Sequence, residues 1–177
     1  MQTTINCIDS VSSLLGKTAM ALTCLLVCSM LYEVIARYVF QSPTLWAFDL
    51  SYMLNGSIFL LAGAYSLKHE AHVRIDFLST KLPLRFQQHL NAVVYAFIIG
   101  PIFIAFSWVS TQKAYKAFLT GEVENVSPWA PLVWPFYSII ALGLIAITLQ
   151  LYIEALKFFR AEKVPGHTSD SGAVLND

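Results

Sequence analysis

Ionisable residues are scarce in the apolar parts of this chain, so each one found there is a candidate for chemistry. Glu33 is the only charge within the four long apolar cores. An acid embedded in a membrane span is by default a candidate for coupling a proton or a cation to transport. Arg37 stands four residues further on, on the same helical face, where it can pair with Glu33. This spacing, with a position toward the end of the apolar stretch, points to a structural pair whose long side chains reach the headgroups.

The histidines are His69, His72, His89 and His167. A haem held between two helices needs histidines inside the spans. His69 and His89 fall at span ends, His72 in a loop and His167 in the tail. His69 and His72 therefore read as polar loop residues, with proton sensing as the alternative. Cys7, Cys24 and Cys28 form no CxxC and no cluster with histidine that reads as a metal site. Cys24 and Cys28, four apart within an apolar stretch, read as small apolar fillers. There is no nucleophile–base pair and no glycine-rich phosphate loop. No catalytic, cofactor-binding or metal-binding residue is assigned, no cofactor is expected, and the chain does not read as an enzyme.

The elements that position these residues are set by composition. The chain has 177 residues, 56% hydrophobic and 12% charged, where soluble domains carry about 25% charged residues. Its formal net charge is zero, which implies no nucleic acid or other acidic polymer as partner. Four apolar stretches lie near 18–36, 50–67, 90–110 and 132–153, and a spanning helix needs about 20 such residues. The expected fold is an all-α integral membrane protein: one domain of four transmembrane helices over 1–160, then a polar, disordered tail over 161–177. Residues 1–16 carry no Lys or Arg and no small-x-small cleavage site follows, so the first span is kept as a helix of the mature protein.

Within residues 4–15, Ile5, Ile8, Val11 and Leu15 recur at helical spacing. This predicts a short amphipathic helix lying on the membrane surface. Ser42-Pro43 is a helix-start signal that places the second helix there, with Trp46 at interface depth. Asp49, Tyr52, Gly56 and Gly63 fall in one narrow stripe of that helix, expected to face protein; Ala47, Leu54, Ile58 and Leu61 lie opposite and are expected to face lipid. The loop 68–89 carries Lys68, Arg74, Lys81 and Arg85, and the C-terminal flank adds Lys157, Arg160 and Lys163. Loops rich in Lys and Arg stay in the cytoplasm, which places both termini there. In that loop His72, Arg74 and Asp76 alternate with Val73 and Ile75, giving a polar edge and an apolar edge if the segment is extended. Asp76–Leu82 can form a short interfacial helix ended by Pro83. The third helix runs from about Leu84 to a stop at Gly121, with a bend expected at Gly100-Pro101. A fourth starts near Pro135 and runs to about Phe159.

The order of these motifs resembles the small membrane subunit of tripartite ATP-independent periplasmic (TRAP) transporters. The matching residues are Arg37-Tyr38, Trp46 with Asp49, the glycine-bearing second helix, His72-Val73-Arg74-Ile75-Asp76, Leu82-Pro83, and Pro131-Leu132 to Trp134-Pro135. Together they span roughly residues 30–155. Two positions depart from the family's pattern: Phe48 stands where a second acid is frequent, and Ala141 where a proline is. The resemblance implies a bacterial inner-membrane protein that serves as a static scaffold for a larger multi-span subunit carrying the substrate and sodium sites. It also implies a periplasmic binding protein that delivers an organic acid anion. Glu33, Arg37, Trp46, Asp49, Tyr52, Gly56, Gly63, His72, Arg74 and Asp76 are then structural or interface residues, with membrane phospholipids as further partners. Two alternatives stand beside this: a self-sufficient small transporter coupled through Glu33, and a haem- or quinone-binding anchor subunit of a membrane oxidoreductase.

Overall fold

In hydrocarbon every backbone amide must be bonded within the protein, and long apolar runs meet this demand as helices. A computed structural model describes residues 2–68 and 84–159. Among these, α1 is Gln2–Tyr38, α2 is Ala47–Lys68 and α3 is Leu84–Val93. A π-helical stretch, Val94–Ile99, leads into α4, Gly100–Thr120, and α5 is Trp134–Phe159. Four helical stretches are long and apolar enough to cross a membrane: Ile8–Tyr38, Ala47–Lys68, His89–Thr120 and Trp134–Phe159. The described chain is all-α, with one isolated bridge between Val123 and Leu132 in the loop before α5.

The helices stand in a row: α1 packs on α2, α2 on α5, and α5 on α4, with α3 also against α5. The apolar core lies where α2 meets α5, at Ala64, Leu67, Ala146, Ile147 and Leu151. Half of the most apolar window of α5 is buried within the chain, against 17% of that of α1. The outer members of the row therefore turn most of their apolar surface away from their own chain. Gly143 marks a close approach of α5 to α2, since a Cβ there would lie 3.1 Å from the Leu60 carbonyl carbon.

Three expectations are corrected. Residues 4–15 are not a separate surface helix but the first turns of α1, which runs unbroken for 37 residues. Val11 and Leu14 of that segment point outward, while Ser12 is 1% exposed. The side of the segment that packs inward carries Asp9 and Ser12 together with Leu15, which packs against the core, and those contacts continue the helix. The second helix begins at Ala47 rather than at Ser42-Pro43. Gln41, with φ 49°, ends α1 in the left-handed region, and the Thr44 amide is taken by Glu33 instead of opening a helix. Finally, Ala47, Leu54 and Leu61 are buried rather than turned to lipid, because α1 occupies that side of α2. The outward side of α2 carries Phe48, Asn55 and Phe59.

Just before Gly100-Pro101, where the sequence predicts a bend, the helix makes a π-helical turn. The Gly100 amide donates to the Tyr95 carbonyl, five residues back, and Pro101 has no amide to give. Gly121 ends α4 with φ 61° and donates its amide to the Ala117 carbonyl, a left-handed cap that suits glycine.

Candidate functional site

Polar side chains gather at the two ends of the row. At the end carrying the 39–46 and 121–133 loops, Glu33 is 7% exposed. Its Oε1 accepts from Arg37 Nε at 2.9 Å and Nη2 at 2.6 Å. Its Oε2 accepts from the Thr44 amide at 3.0 Å and from the Thr44 hydroxyl. Both carboxylate oxygens are thus engaged in closing the turn from α1 to α2. Trp46 lies beside this turn, its ring stacked on Tyr32 at 5.8 Å.

The polar stripe of α2 meets the other loop and α5. Asp49 is 1% exposed; its Oδ2 accepts from the Ser127 hydroxyl, and its buried Oδ1 has no hydrogen-bond partner among the described residues. The Tyr52 hydroxyl donates to Glu124 Oε2 at 2.8 Å. That bond, with the Val126 and Asn125 amides, holds the Glu124 carboxyl below the usual carboxylate range, against a smaller opposing effect of burial. The Tyr52 ring also meets Phe136 edge-on at 5.9 Å. Further along the stripe, a Cβ at Gly56 would lie 3.1 Å from Phe136 and one at Gly63 would lie 2.8 Å from Ile147. The glycine groove is therefore filled by α5 of the same chain. His72, Arg74 and Asp76, and the predicted helix at Asp76–Leu82, lie outside the described residues.

The opposite end holds a network that the sequence reading did not single out. Lys157 Nζ of α5 contacts Asp9 Oδ2 of α1 at 2.9 Å and Glu154 Oε1 at 3.1 Å. Gln150, fully buried, donates to Asp9 Oδ1 and to Glu154 Oε1, each at 3.0 Å, and accepts from the Ser12 hydroxyl at 2.8 Å. From α2, Lys68 donates to the Asp9 carbonyl at 3.1 Å and to the Ser13 hydroxyl at 2.7 Å. Two carboxylates and two ammoniums thus balance. A signal for it exists in the sequence: Gln150, Glu154 and Lys157 recur at i, i+4 and i+7 on one face of α5.

Between the two ends, α4 and α5 bring the Ser107 and Thr148 hydroxyls to 3.0 Å. Each also bonds a carbonyl of its own helix, Phe103 and Leu144 respectively. Chemically, the arrangement fastens helices to each other and to loops. Among the described residues it offers no chain of open titratable groups from one end to the other.

Residues 26–161 match the family model described as tripartite ATP-independent periplasmic transporters, DctQ component. Over 72 residues the chain is 28% identical to the sialic acid TRAP transporter permease protein SiaT of Haemophilus influenzae (strain 86-028NP). That match covers 41% of this chain and 12% of SiaT, so the chain spans a small part of that relative's length.

Proposed function

This chain belongs to the DctQ component family of tripartite ATP-independent periplasmic transporters, and on that premise we propose how it serves such a system. It is a TRAP small permease subunit and a multi-pass protein of the bacterial inner membrane. In our reading it is a static scaffold for a larger multi-span subunit, which carries the sodium and substrate sites. A periplasmic binding protein delivers the substrate, an organic acid anion; the relative's named substrate, sialic acid, is of that class.

The family match over residues 26–161 carries this reading. The engagement of both Glu33 oxygens supports it, since a carboxylate closed by Arg37 and Thr44 is poorly placed to take up and release a cation. Both termini and residues 68–89 face the cytoplasm in this reading, with His72, Arg74 and Asp76 against headgroups or the large subunit. The Asp49–Tyr52–Gly56–Gly63 stripe serves inside the four-helix unit.

Reconstitution tests the proposal. Vesicles containing both membrane subunits, supplied with binding protein and a sodium gradient, should take up substrate. Vesicles containing this chain alone should take up none. Uptake by this chain alone would overturn the scaffold role.

A further inference from the structure

A cavity of about 540 Å³ opens between α1 and the end of α2, lined by Asp9, Ser10, Ser13, Leu14 and Lys17 of α1 and by Lys68 of α2. Ser10, Ser13 and Lys17 recur at i, i+3 and i+7, so they share one stripe of the helix. Lys68 reaches into the same space through its bond to Ser13. Two ammoniums and two hydroxyls therefore line one open cavity, with Lys68 and Ser13 already bonded to each other and to the Asp9 carbonyl. Its single carboxylate, Asp9, is engaged by Lys157 and Gln150, which offsets the repulsion an anion would otherwise meet. Lys17 is exposed, with no hydrogen bond or ion pair to any described residue.

The stripe changes character at Lys17. Residues 18–32 carry no charge. Ala21, Cys24 and Cys28 continue the line of Lys17, all exposed, and Met20 and Leu25 flank them at 61% and 50% exposure. A cationic slot thus adjoins an exposed apolar face of the same helix. This is the order of groups in a phospholipid, and a long cationic side chain at the edge of an uncharged run can extend to headgroups.

We infer that this slot binds the phosphodiester of an anionic membrane phospholipid, with Lys17 on the phosphate, the charge of Lys68 beside it, and an acyl chain along Ala21, Cys24 and Cys28. A soluble phosphate ion shares the headgroup chemistry, but the apolar face would add nothing to its binding.

The test is native mass spectrometry of the purified full-length chain, titrated with phosphatidylglycerol or with phosphatidylcholine of the same acyl chains. Phosphatidylglycerol should bind more tightly. Lys17→Gln should weaken it about fivefold, the effect of one lysine at an anionic surface, and leave phosphatidylcholine unchanged. Lys17→Arg should restore binding, Lys116→Gln on α4 should not affect it, and millimolar inorganic phosphate should not displace the lipid. Circular dichroism confirms that the variants keep their helices. Wild-type phosphatidylglycerol binding by Lys17→Gln, or no preference between the two lipids, would overturn the site. Displacement by inorganic phosphate would overturn its assignment to lipid.

Discussion

The two polar ends of the helix row use similar groups for different work. At the loop end, contacts tie a helix to the loop beside it: Glu33 to Thr44, Asp49 to Ser127, and Tyr52 to Glu124. At the other end they tie helix to helix, with Asp9 and Ser12 of α1 reaching Gln150 and Lys157 of α5, and Lys68 of α2 reaching back to α1. The second kind spans 138 to 148 residues of sequence between α1 and α5. In lipid there is little hydrophobic force between helices, and packing and hydrogen bonds must hold them. The first helix buries little of its apolar surface in its own chain, so this polar anchor adds to its packing on α2 in holding it in the row.

The comparison predicts unequal costs. The largest belongs to Lys157→Met, which leaves Asp9 and the 1%-exposed Glu154 without that cation. Removing one partner of a buried pair costs about 3–5 kcal/mol, and the partial exposure of Lys157 places this case near the lower figure. The loss should appear as a lowered unfolding midpoint in detergent. Double substitution with Asp9→Asn and Glu154→Gln should recover part of it, and strict additivity would break the network account. A smaller cost is expected for Glu33→Gln, whose arginine partner is half-exposed. Co-purification with the large subunit should fall modestly, and less than for Lys157→Met. If the order of these two is reversed, the contrast between the ends fails.

Much of the fold was legible, because length and hydropathy alone locate a span. Gly121 was readable as a stop because the left-handed cap needs no distant partner. Residues 4–15 were misread because a surface helix and the end of a membrane helix share one periodicity. They differ only in which side is covered, and the partners of Ser12 and Asp9 lie in the last helix. Turning Asp9 and Ser12 inward is what low-dielectric surroundings favour, and Gln150, Glu154 and Lys157 carried that signal at helical spacing. The start of α2 was misplaced because Glu33, eleven residues before Thr44, outcompetes a local cap. Leu54 and Leu61 were assigned to lipid because nothing local reveals that α2 has neighbours on two sides.

The smallest effect sharpens the comparison at the loop end. Tyr52→Phe removes the hydroxyl that does most to hold Glu124 below the usual carboxylate range. A depressed carboxyl stabilises the fold above its unfolded-state value, and that contribution is lost as pH falls through the depressed one. The variant should therefore unfold slightly earlier at neutral pH and converge with the wild type as pH falls through the depressed value of Glu124. An equal difference at both pH values would show that the bond to Glu124 is not the source.

The central claim is that the embedded charges fasten this subunit together and do not couple ions. The direct measurement is the initial rate of sodium-driven uptake by reconstituted complexes carrying Glu33→Gln, divided by the amount of assembled complex. The account predicts the wild-type rate per complex, with any deficit confined to assembly. A full yield of complex with uptake uncoupled from sodium would contradict it.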